Sequence, residues 1–329
     1  MVALYVTSLD KAAGKTALCA GIGKYWLDSG RKVGYLKPVT DEAKSQAPAG
    51  ANHDVSFMKR ILALEASEDL LCPALGKLRE AYAQVSRGKD VVLVEGTLDI
   101  AISGMLEVLD ARVIMVAGYS TGLPVGELID SGKKFGQRLL GVVINKVPEK
   151  RLDQVSNEVS AQLAEAGITF LGLLPEDRAL SGLTVGELAE HLQAEVLNTP
   201  EEPVELVENF MLGALGVDSG LEYFGRKTNK AVVTRGERPD QQLAALETPT
   251  SCLVLTGNTA PSEIVLHRAE EKAVPIIVAR EDTSATVASI EAALSQVRFN
   301  QEKKLPIITE MIKQRLNLEA LSQGLGLAG

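Results

Sequence analysis

Aromatic residues and cysteines are both scarce in this sequence of 329 residues. Phe, Trp and Tyr together make up 4% of it, so Leu, Val, Ile and Ala must fill the core. These residue types are typical of parallel sheets covered by helices. The three cysteines, Cys19, Cys72 and Cys252, lie far apart and form no Cys-x-x-Cys pair. A disulfide framework and a zinc site are therefore not indicated, and a reducing compartment fits best.

The sequence also lacks an excess of positive charge and any long apolar run. Its formal net charge is −9, so it would repel the phosphates of nucleic acids and anionic membranes. No apolar stretch approaches the roughly 20 residues that a membrane-spanning helix needs. The N-terminus, MVALYVTS, has neither the basic start nor the apolar core of a signal peptide. We therefore expect a cytoplasmic protein that binds neither nucleic acid nor membrane.

Short apolar segments alternate with longer amphipathic segments over the first half of the chain. The short segments are rich in β-branched residues and bounded by turn residues or charges, which is typical of buried strands. We predict strands at Val2–Thr7, Val33–Lys37, Val91–Glu95, Arg112–Ala117, Leu140–Asn145 and Ile168–Leu173. Predicted helices between them include Lys15–Asp28, Leu123–Arg138 and Lys150–Ala166. This order predicts an α/β fold with a doubly wound parallel sheet and right-handed crossovers.

A stretch with two prolines and three glutamates, NTPEEPVE at 198–205, interrupts this alternation and is typical of a linker. A second, smaller α/β pattern follows it. Its predicted strands are Lys230–Thr234, Ser251–Gly257 and Val274–Arg280, and its predicted helices are Asp240–Glu247, Ser262–Lys272 and Thr286–Leu294. We therefore predict a first domain over residues 1–197, a linker over 198–206 and a second domain over 207–329.

The most specific motif is a phosphate-binding loop near the N-terminus. After the first predicted strand, small residues lead to Gly14-Lys15-Thr16 at the start of a helix. Gly14 lets the backbone approach a phosphate, Lys15 supplies a positive charge, and Thr16 offers a hydroxyl to Mg²⁺. Backbone N–H groups at the helix start favour an anion. We predict that the nucleotide contacts Asp10, Ala12, Ala13, Gly14, Lys15, Thr16 and Ala17.

The glycine that normally begins such a loop is missing, and Ser8 stands six residues before Gly14. A serine there needs an ordinary backbone conformation, because a left-handed one would be strained. The tripeptide Gly-Lys-Thr is by itself a common helix start. Its position between an apolar strand and an amphipathic helix favours nucleotide binding over this simpler interpretation.

Two carboxylates and a second lysine are candidates for the same site. Glu95 ends the strand VVLVE, Asp54 precedes an amphipathic helix, and Lys37 ends the second strand. Mg²⁺ prefers hard oxygen ligands, so we predict Thr16, Asp54 and Glu95 as its ligands. Lys37 would neutralise a terminal phosphate or a substrate carboxylate, and we assign it with Lys15 as the catalytic candidates. The alternatives are a solvated strand end for Glu95, a helix N-cap for Asp54 and a surface position for Lys37.

Two further residues are candidates for the base of the nucleotide. Asn145 stands at the end of the strand LGVVIN, and its amide has the donor and acceptor that an adenine edge requires. An ordinary turn asparagine is the alternative. Pro175 follows the last strand of the first half and would place backbone beside the base.

Together these residues resemble the dethiobiotin synthetase family of P-loop proteins over about residues 1–195. The resemblance rests on SLDKAAGKT, the KPV after the second strand, HDV, VEG and INKV. In that family the corresponding residues bind ATP and Mg²⁺, and the resemblance implies phosphate or metal binding for Lys15, Thr16, Lys37, Asp54 and Glu95 and adenine binding for Asn145. The family carboxylates a diamino acid and closes a ring. The segment after VEG is glycine-rich in the family, whereas it reads TLDIAISG here. This chain therefore departs from the family at the substrate pocket.

The second half is similar to a DRTGG domain. The similarity lies in three segments, VENFMLGALGVDSGLEYF, KAVVTRGERPDQQLAALE and the long segment that begins CLVLTGNTAPSE. The motif from which the domain takes its name is degenerate here and reads TRGERPDQ. The same order of domains occurs at the N-terminus of long phosphate acetyltransferases, where it is regulatory and precedes a separate catalytic domain. We therefore expect a freestanding version of that regulatory region, because the sequence ends at Gly329 before any such domain.

Two functions fit these features. The first is a nucleotide- or metabolite-sensing module that acts on the DRTGG half or on a partner enzyme. The second is an ATP-dependent ligase or slow ATPase, in which ATP activates a carboxylate or carbamate as a phosphorylated intermediate. Glutamine-dependent amidation of the cobyrinic acid diamide synthase type is not favoured, because Cys252 lies in an apolar run and His267 has no evident partner. Both related families assemble, so we expect a homodimer or larger.

Overall fold

The computed structural model describes residues 1–10, 12–40, 53–100, 104–120, 123–198, 206–213 and 220–327. The chain forms two compact units. The first contains Met1–Glu176 and Phe299–Gly329, and the second contains Asp177–Arg298. Most of the predicted linker, residues 199–205, lies outside the described residues. None of the described helices is long and apolar enough to cross a membrane.

In the part of the first unit that the structure describes, six parallel strands form one sheet in the order β2-β3-β1-β4-β5-β6. The strands are β1 (Val2–Ser8), β2 (Val33–Leu36), β3 (Val91–Glu95), β4 (Ala111–Gly118), β5 (Leu139–Val147) and β6 (Phe170–Pro175). Their side chains are almost wholly buried, as in a sheet with helices on both faces. The predicted doubly wound α/β class is confirmed, and β1 lies where the strand order reverses.

The first stretch of this unit also contains short and long helices. They are α1 (Lys15–Asp28), α2 (His53–Ile61), α3 (Glu68–Leu71), α4 (Leu78–Val85), α5 (Leu98–Ile100), α6 (Leu106–Leu109), α7 (Val125–Lys133) and α8 (Leu152–Glu165). Helix α1 is unusual because an unbroken run from Ala17 to Gly23 is buried. A helix with one exposed face shows an apolar stripe instead, so α1 must be covered on more than one side.

The second unit contains a smaller sheet in the order β7-β11-β10-β9-β8. Its strands are β7 (Glu195–Val196), β8 (Asn209–Leu212), β9 (Lys230–Arg235), β10 (Thr250–Thr256) and β11 (Ile276–Val278). Its helices are α9 (Val185–His191), α10 (Gly220–Phe224), α11 (Pro239–Leu246), α12 (Glu263–Glu271) and α13 (Thr283–Ser295). Alternate residues of β9 enter two separate apolar clusters, with Ala231 and Val233 in one and Val232 in the other. Both faces of this sheet are therefore buried.

Two final helices, α14 (Lys304–Arg315) and α15 (Leu318–Gly324), return the chain to the first unit. Helix α14 packs against α1, where Gly21 lies directly under Ile312 and Ile308. The Asn317 N–H donates to the Leu171 carbonyl of β6 at 2.8 Å. The guanidinium of Arg31, just after α1, donates to the Leu327 carbonyl. Helix α14 thus supplies the additional cover that the buried surface of α1 requires.

The division into units differs from the predicted boundaries at residues 197 and 207. Residues 185–196 belong to the second unit, because α9 packs on α13 and β7 pairs antiparallel with β11. Residues 299–327 belong to the first unit, because α14 packs on α1 and β6. Composition identifies a candidate linker, but packing partners decide which unit each flanking element joins.

Lys230, at the start of β9, is a fully buried lysine whose ammonium donates to the Thr248 hydroxyl at 3.0 Å and the Pro249 carbonyl at 2.7 Å. Burial lowers the pKa of Lys230 to about 8. Between this value and the unfolded value of 10.5, the unfolded chain binds more protons than the folded chain, so stability rises with pH in this window.

We therefore expect the free energy of unfolding of the wild type, relative to Lys230→Met, to increase as pH rises from about 8 to about 10.5. Urea unfolding followed by circular dichroism at several pH values measures this difference. Lys272→Met, which removes an exposed lysine of the same unit, serves as the matched control. A wild type and a Lys230→Met variant whose stabilities change in parallel over this window would contradict the prediction.

Candidate functional site

The segment between β1 and α1 has the geometry of a phosphate-binding loop. Gly14 stands at the N-terminus of α1 with a φ of 96°, a left-handed conformation that residues with a Cβ rarely adopt. A Cβ atom at this position would also overlap with Nδ2 of Asn145. The first turn of α1 contains no acidic residue, so its backbone N–H groups and the helix dipole favour an anion.

Ser8, at the position of the missing glycine, is not among the residues with a positive φ. The backbone therefore has the ordinary conformation that a serine needs there, without left-handed strain. The Ser8 hydroxyl donates to the Asp10 carbonyl at 2.5 Å and accepts a hydrogen bond from the Lys15 ammonium at 2.7 Å. The serine thus holds the lysine against the loop, a contact that glycine has no side chain to make.

The predicted metal and phosphate residues meet at the carboxyl edge of the first sheet. Glu95 is only 3% exposed, and its Oε1 accepts hydrogen bonds from the Thr16 hydroxyl at 2.8 Å and the Lys37 ammonium at 2.7 Å. The same ammonium lies 2.5 Å from Oδ2 of Asp54. A positive charge therefore already lies between the two carboxylates that were predicted to bind Mg²⁺.

The strand order explains why these residues meet. Because β3 lies between β2 and β1, Glu95 at its end is flanked by Lys37 after β2 and by Thr16 after β1. The structure differs slightly from two predictions, the positions of Lys37 and Asp54 relative to their neighbouring elements. Lys37 follows β2, because its N–H bonds to the Leu71 carbonyl outside the sheet, and Asp54 lies in the first turn of α2, which begins at His53.

Tyr35 is a member of this site that sequence reasoning missed. Its fully buried hydroxyl donates to Oε2 of Glu95 at 2.9 Å, the carboxylate oxygen that neither Thr16 nor Lys37 contacts. Tyr35 precedes Lys37 by two residues, and strand residues two apart point to the same face. This spacing was the signal that could have identified it.

Gly96 in the VEG segment allows a close approach of Tyr5. The Tyr5 hydroxyl donates to the Thr97 carbonyl at 3.0 Å, and a Cβ atom on Gly96 would overlap with that hydroxyl. The glycine therefore lets a fully buried tyrosine of β1 pack beneath the end of β3. The TLDIAISG segment that follows includes residues 101–103, which lie outside the described residues.

The electrostatics of the site follow from burial and from the shared carboxylates. Burial lowers the pKa of Lys37, but the charges of Glu95 and Asp54 outweigh this effect and raise the pKa above its usual value. Burial also lowers the pKa of Lys15, which Glu95 only partly offsets. Burial and the charge of Glu95 raise the pKa of the Cys19 thiol well above its usual range. Lys37 is therefore charged at neutral pH and Cys19 is a neutral thiol.

Asn145 lies behind the phosphate loop. Its side chain is 7% exposed, and Nδ2 donates to the Ala13 carbonyl at 2.9 Å while Oδ1 accepts from the Lys146 N–H at 2.9 Å. Lys146 has a φ of 62° and its ammonium donates to the Ala12 carbonyl at 3.0 Å. Pro175 pairs with Val147 in the neighbouring strand, so it lies at the same edge as Asn145.

The remaining predicted loop residues occupy distinct positions. Asp10 and Ala12 are exposed, whereas Ala13 and Ala17 are buried. The carbonyls of Asp10, Ala12 and Ala13 accept side-chain hydrogen bonds, so these three residues contribute to the site through backbone. The structure thus brings the predicted loop, metal and base residues to one edge of the sheet.

The oxygen atoms that the site offers to Mg²⁺ are too few by themselves, so phosphate oxygens of a nucleotide would have to complete the coordination of the ion. Within the described ranges, no group of three or more His, Cys, Asp or Glu residues is arranged to hold a metal ion. Two carboxylates and the Thr16 hydroxyl are present, all hard oxygen donors. Mg²⁺ commonly takes one or two carboxylates and fills its octahedron with phosphate oxygens and water, so the residues fit this ion.

Cys252 in the second unit has the properties of a core residue. It lies in β10 with no exposed surface, and burial raises the pKa of its thiol to about 12. A thiol with this pKa holds almost no thiolate at neutral pH and is a poor nucleophile. His267 lies on α12, 3.6 Å from the carboxylate of Glu271, and is exposed. Cys252 is therefore a core residue of the second unit, and His267 is a surface residue.

A parallel sheet with this strand order, and a Gly-Lys-Thr loop between its central strand and a buried helix, define a P-loop nucleotide-binding fold. Residues 2–84 match the family described as an AAA domain, and residues 187–293 match the DRTGG domain family. The chain therefore contains a P-loop domain that is similar to dethiobiotin synthetases, followed by a DRTGG domain, and it is homologous to the N-terminal region of phosphate acetyltransferases. The predicted resemblance is thereby confirmed.

The relatives match the chain in two ways. The phosphate acetyltransferase of Nitratidesulfovibrio vulgaris is 23% identical over 367 residues, which cover 98% of this chain and 51% of that protein. The chain therefore spans about half the length of this relative. The ATP-dependent dethiobiotin synthetase of Methanococcus vannielii is 23% identical over 206 residues, which cover 53% of this chain and 94% of that protein.

Among solved structures, a cobyrinic acid a,c-diamide synthase from Mycobacterium smegmatis with bound ATP analog and magnesium is similar to part of the chain. The match covers 54% of this chain and 88% of that one, with 18% sequence identity and a TM-score of 0.35.

Proposed function

We propose that the first unit binds ATP together with Mg²⁺ and that the protein senses this nucleotide rather than consuming it rapidly. The observation that carries the proposal is the convergence of Lys15, Thr16, Lys37 and Glu95 at the end of the phosphate loop. ATP is the proposed nucleotide, because a dethiobiotin synthetase that matches 53% of this chain is ATP-dependent.

Each residue of the site has a role that follows from its chemistry. The N–H groups at the start of α1 and the Lys15 ammonium bind the β- and γ-phosphates. Lys37 neutralises the terminal phosphate once it leaves the two carboxylates. Thr16, Glu95 and Asp54 would hold Mg²⁺, which supplies charge neutralisation between the phosphates when bound.

A sensing role is supported by the order of the two domains and the length of the relatives. This chain, with its P-loop and DRTGG domains, aligns with about half of the length of the phosphate acetyltransferases. Sensing requires two states that bind ATP with different affinities, so ATP would shift the population of one state of the protein or of a partner enzyme.

The proposal is tested by calorimetric titration of ATP with Mg²⁺ into the wild type and Lys15→Ala, with released phosphate assayed on the same samples. We expect Lys15→Ala to weaken binding about 100-fold, since it removes charge-assisted hydrogen bonds of about 1.5–3 kcal/mol each. Lys24→Ala is the matched control, because Lys24 lies on the same helix and its ammonium forms an exposed ion pair with Asp28 at 2.7 Å.

Binding by the wild type that is lost in Lys15→Ala, with negligible phosphate release, is the expected result. A wild type that binds no nucleotide would show that the loop with Ser8 is inactive, and the proposed function would be wrong. Rapid phosphate release by the wild type would show that the protein hydrolyses ATP, and a catalytic function would then replace the proposed sensing role.

The second candidate function is an ATP-dependent ligase that phosphorylates a carboxylate or carbamate. A groove of about 420 Å³ lies between α7 and α8, lined by Tyr119, Arg151 and Glu158 among others. The Tyr119 N–H donates to the Asn145 carbonyl at 2.7 Å, so the groove adjoins the strand ends beside the loop. Arg151, which donates to the Tyr119 hydroxyl at 2.9 Å, would bind an anionic acceptor. Phosphate release that depends on an added small carboxylic acid would favour this function.

We also propose a homodimer or larger assembly in the cytoplasm, as the resemblance to dethiobiotin synthetases and phosphate acetyltransferases implies. Sedimentation of the purified protein with and without ATP measures the assembly. A mass equal to one chain of 35.1 kDa under both conditions would contradict it.

A further inference from the structure

Two consecutive side chains of β5 bind two consecutive carbonyls of the phosphate loop. Nδ2 of Asn145 donates to the Ala13 carbonyl at 2.9 Å, and Nζ of Lys146 donates to the Ala12 carbonyl at 3.0 Å. The donors and acceptors are more than 130 residues apart in sequence. The loop is therefore attached to β5 on the side of its carbonyl groups.

These bonds also determine where the loop N–H groups point. In a trans peptide the carbonyl and the following N–H point in opposite directions. Fixing the Ala12 and Ala13 carbonyls toward β5 therefore turns the N–H groups of Ala13 and Gly14 toward the opposite side. The Ala13 N–H makes a long contact, 3.4 Å, with the Asp10 carbonyl. N–H groups with this orientation are the donors that bind phosphate oxygens in such a loop.

The backbone of β5 is strained where it makes these bonds. Lys146 has a φ of 62°, a conformation that is uncommon for a residue with a long side chain. The pairing of β5 with β6 is irregular between Ile144 and Val147, at the same point. Local strain persists only where the surrounding contacts hold it in place, and it is concentrated at functional sites. Here it lets neighbouring side chains of one strand reach the same loop.

We propose that Asn145 and Lys146 are positioning residues of the phosphate loop, which hold its backbone N–H groups toward the triphosphate of the bound nucleotide. This inference rests on the proposed nucleotide site. It gives Lys146 a role that the resemblance to dethiobiotin synthetases does not imply, and it makes the contribution of Asn145 independent of the base. A residue that reads adenine affects only nucleotides with that base, whereas a positioning residue affects every triphosphate equally.

The test compares ATP, CTP and inorganic tripolyphosphate, each with Mg²⁺, in calorimetric titrations of the wild type, Asn145→Ala and Lys146→Met. We expect each variant to weaken binding about tenfold, which is the loss of about one hydrogen bond, and by the same factor for all three ligands. Lys146→Arg, which keeps a cationic donor, should restore most of the affinity. Lys150→Met, an exposed lysine of the same connection, should bind all three ligands like the wild type.

A second measurement uses the protein saturated with tripolyphosphate and Mg²⁺, in which phosphate oxygens would accept hydrogen bonds from the N–H groups of Ala13 and Gly14. Amide hydrogen exchange at Ala13 and Gly14 should be faster in Asn145→Ala and Lys146→Met than in the wild type, while exchange in the interior of α1 stays unchanged. This readout separates a displaced loop from a general loss of stability, in which α1 would exchange faster as well.

The outcomes distinguish the two proposals. A loss of affinity confined to ATP would overturn the inference in favour of adenine recognition. Variants that bind ATP, CTP and tripolyphosphate like the wild type, with unchanged exchange at the loop, would also overturn it while the proposed function stands. A wild type that binds none of the three ligands would overturn the proposed function and this inference with it.

Discussion

Lys37→Met is expected to lower the free energy of unfolding of the first unit by about 3 kcal/mol, and added Mg²⁺ is expected to restore part of this loss. The Lys37 ammonium lies 2.7 Å from Oε1 of Glu95 and 2.5 Å from Oδ2 of Asp54. Glu95 is 3% exposed, so removal of the lysine leaves a carboxylate in a poorly solvated place beside a second one. Breaking one side of a buried ion pair is strongly destabilising for this reason.

Mg²⁺ restores stability because it can take the position of the lost positive charge next to Glu95 and Thr16. In the wild type the ammonium competes for this position, so Mg²⁺ without nucleotide should stabilise the wild type less than the variant. Nucleotide would remove the competition by attracting Lys37 to its phosphates. Binding of Mg²⁺ and of ATP should therefore be cooperative in the wild type.

Urea unfolding followed by the fluorescence of Trp26 measures the effect. Trp26 is the single tryptophan of the sequence and lies buried in α1, so its emission reports on the first unit. Lys24→Met is the matched control, because the Lys24–Asp28 pair is exposed and such pairs contribute about 0.3–0.5 kcal/mol. If Lys37→Met were as stable as this control, or if Mg²⁺ stabilised both proteins equally, Lys37 would not be the resident cation of the site.

The pH of these measurements follows from the raised pKa of Lys37. A lysine whose folded-state pKa lies above its unfolded value contributes its full stabilisation below the unfolded value of 10.5 and loses it only at higher pH. The difference between wild type and Lys37→Met should therefore be constant from neutral pH up to about pH 10 and decrease only at more alkaline pH.

Ile312→Asp is expected to destabilise the first unit by about 4 kcal/mol or more, because it buries a charge against the helix of the phosphate loop. Ile312 has no exposed surface and lies over Gly21 of α1. The variant should lose nucleotide binding at temperatures where the wild type still binds. Ile264→Asp on α12, where the isoleucine is 65% exposed, is the matched control and should change stability by less than about 0.5 kcal/mol.

A double-mutant cycle tests the contact itself. A Cβ at Gly21 would overlap with Cδ1 of Ile312, so Gly21→Ala alone should cost about 1–3 kcal/mol through overpacking. Ile312→Val removes that Cδ1 and alone should cost about 0.5–1.5 kcal/mol. The double variant should be more stable than the sum predicts by about 1 kcal/mol, since the new methyl group occupies the vacated space. Additive effects would mean that the two residues are not in contact.

Local patterns predicted most of the elements near the site. Helix α1 has the predicted bounds Lys15–Asp28, and β3 has the predicted bounds Val91–Glu95. Both segments have a clear apolar pattern and are bounded by a turn residue or a charge. The short strands β7 and β8 were not predicted, because segments of two and four residues are too short to show a period.

Local sequence patterns alone were enough to predict the class of fold and most residues of the site. Alternating strands and helices require a parallel sheet, whose strand ends meet at one edge, and Lys15, Thr16, Lys37 and Glu95 follow or end such strands or open the next helix. These inferences need only local periodicity and the chemistry of each residue type.

Which distant groups meet depends on tertiary packing, and the structure was needed to find them. It placed residues 299–327 on the first unit, aimed the Tyr35 hydroxyl at Glu95, and attached Lys146 to the loop. Each of these contacts joins segments far apart in the chain, and it depends on the shape and spacing of the packed elements. A periodic pattern reports which face of an element is buried, but the same apolar face fits many partners, so the partner is chosen by packing.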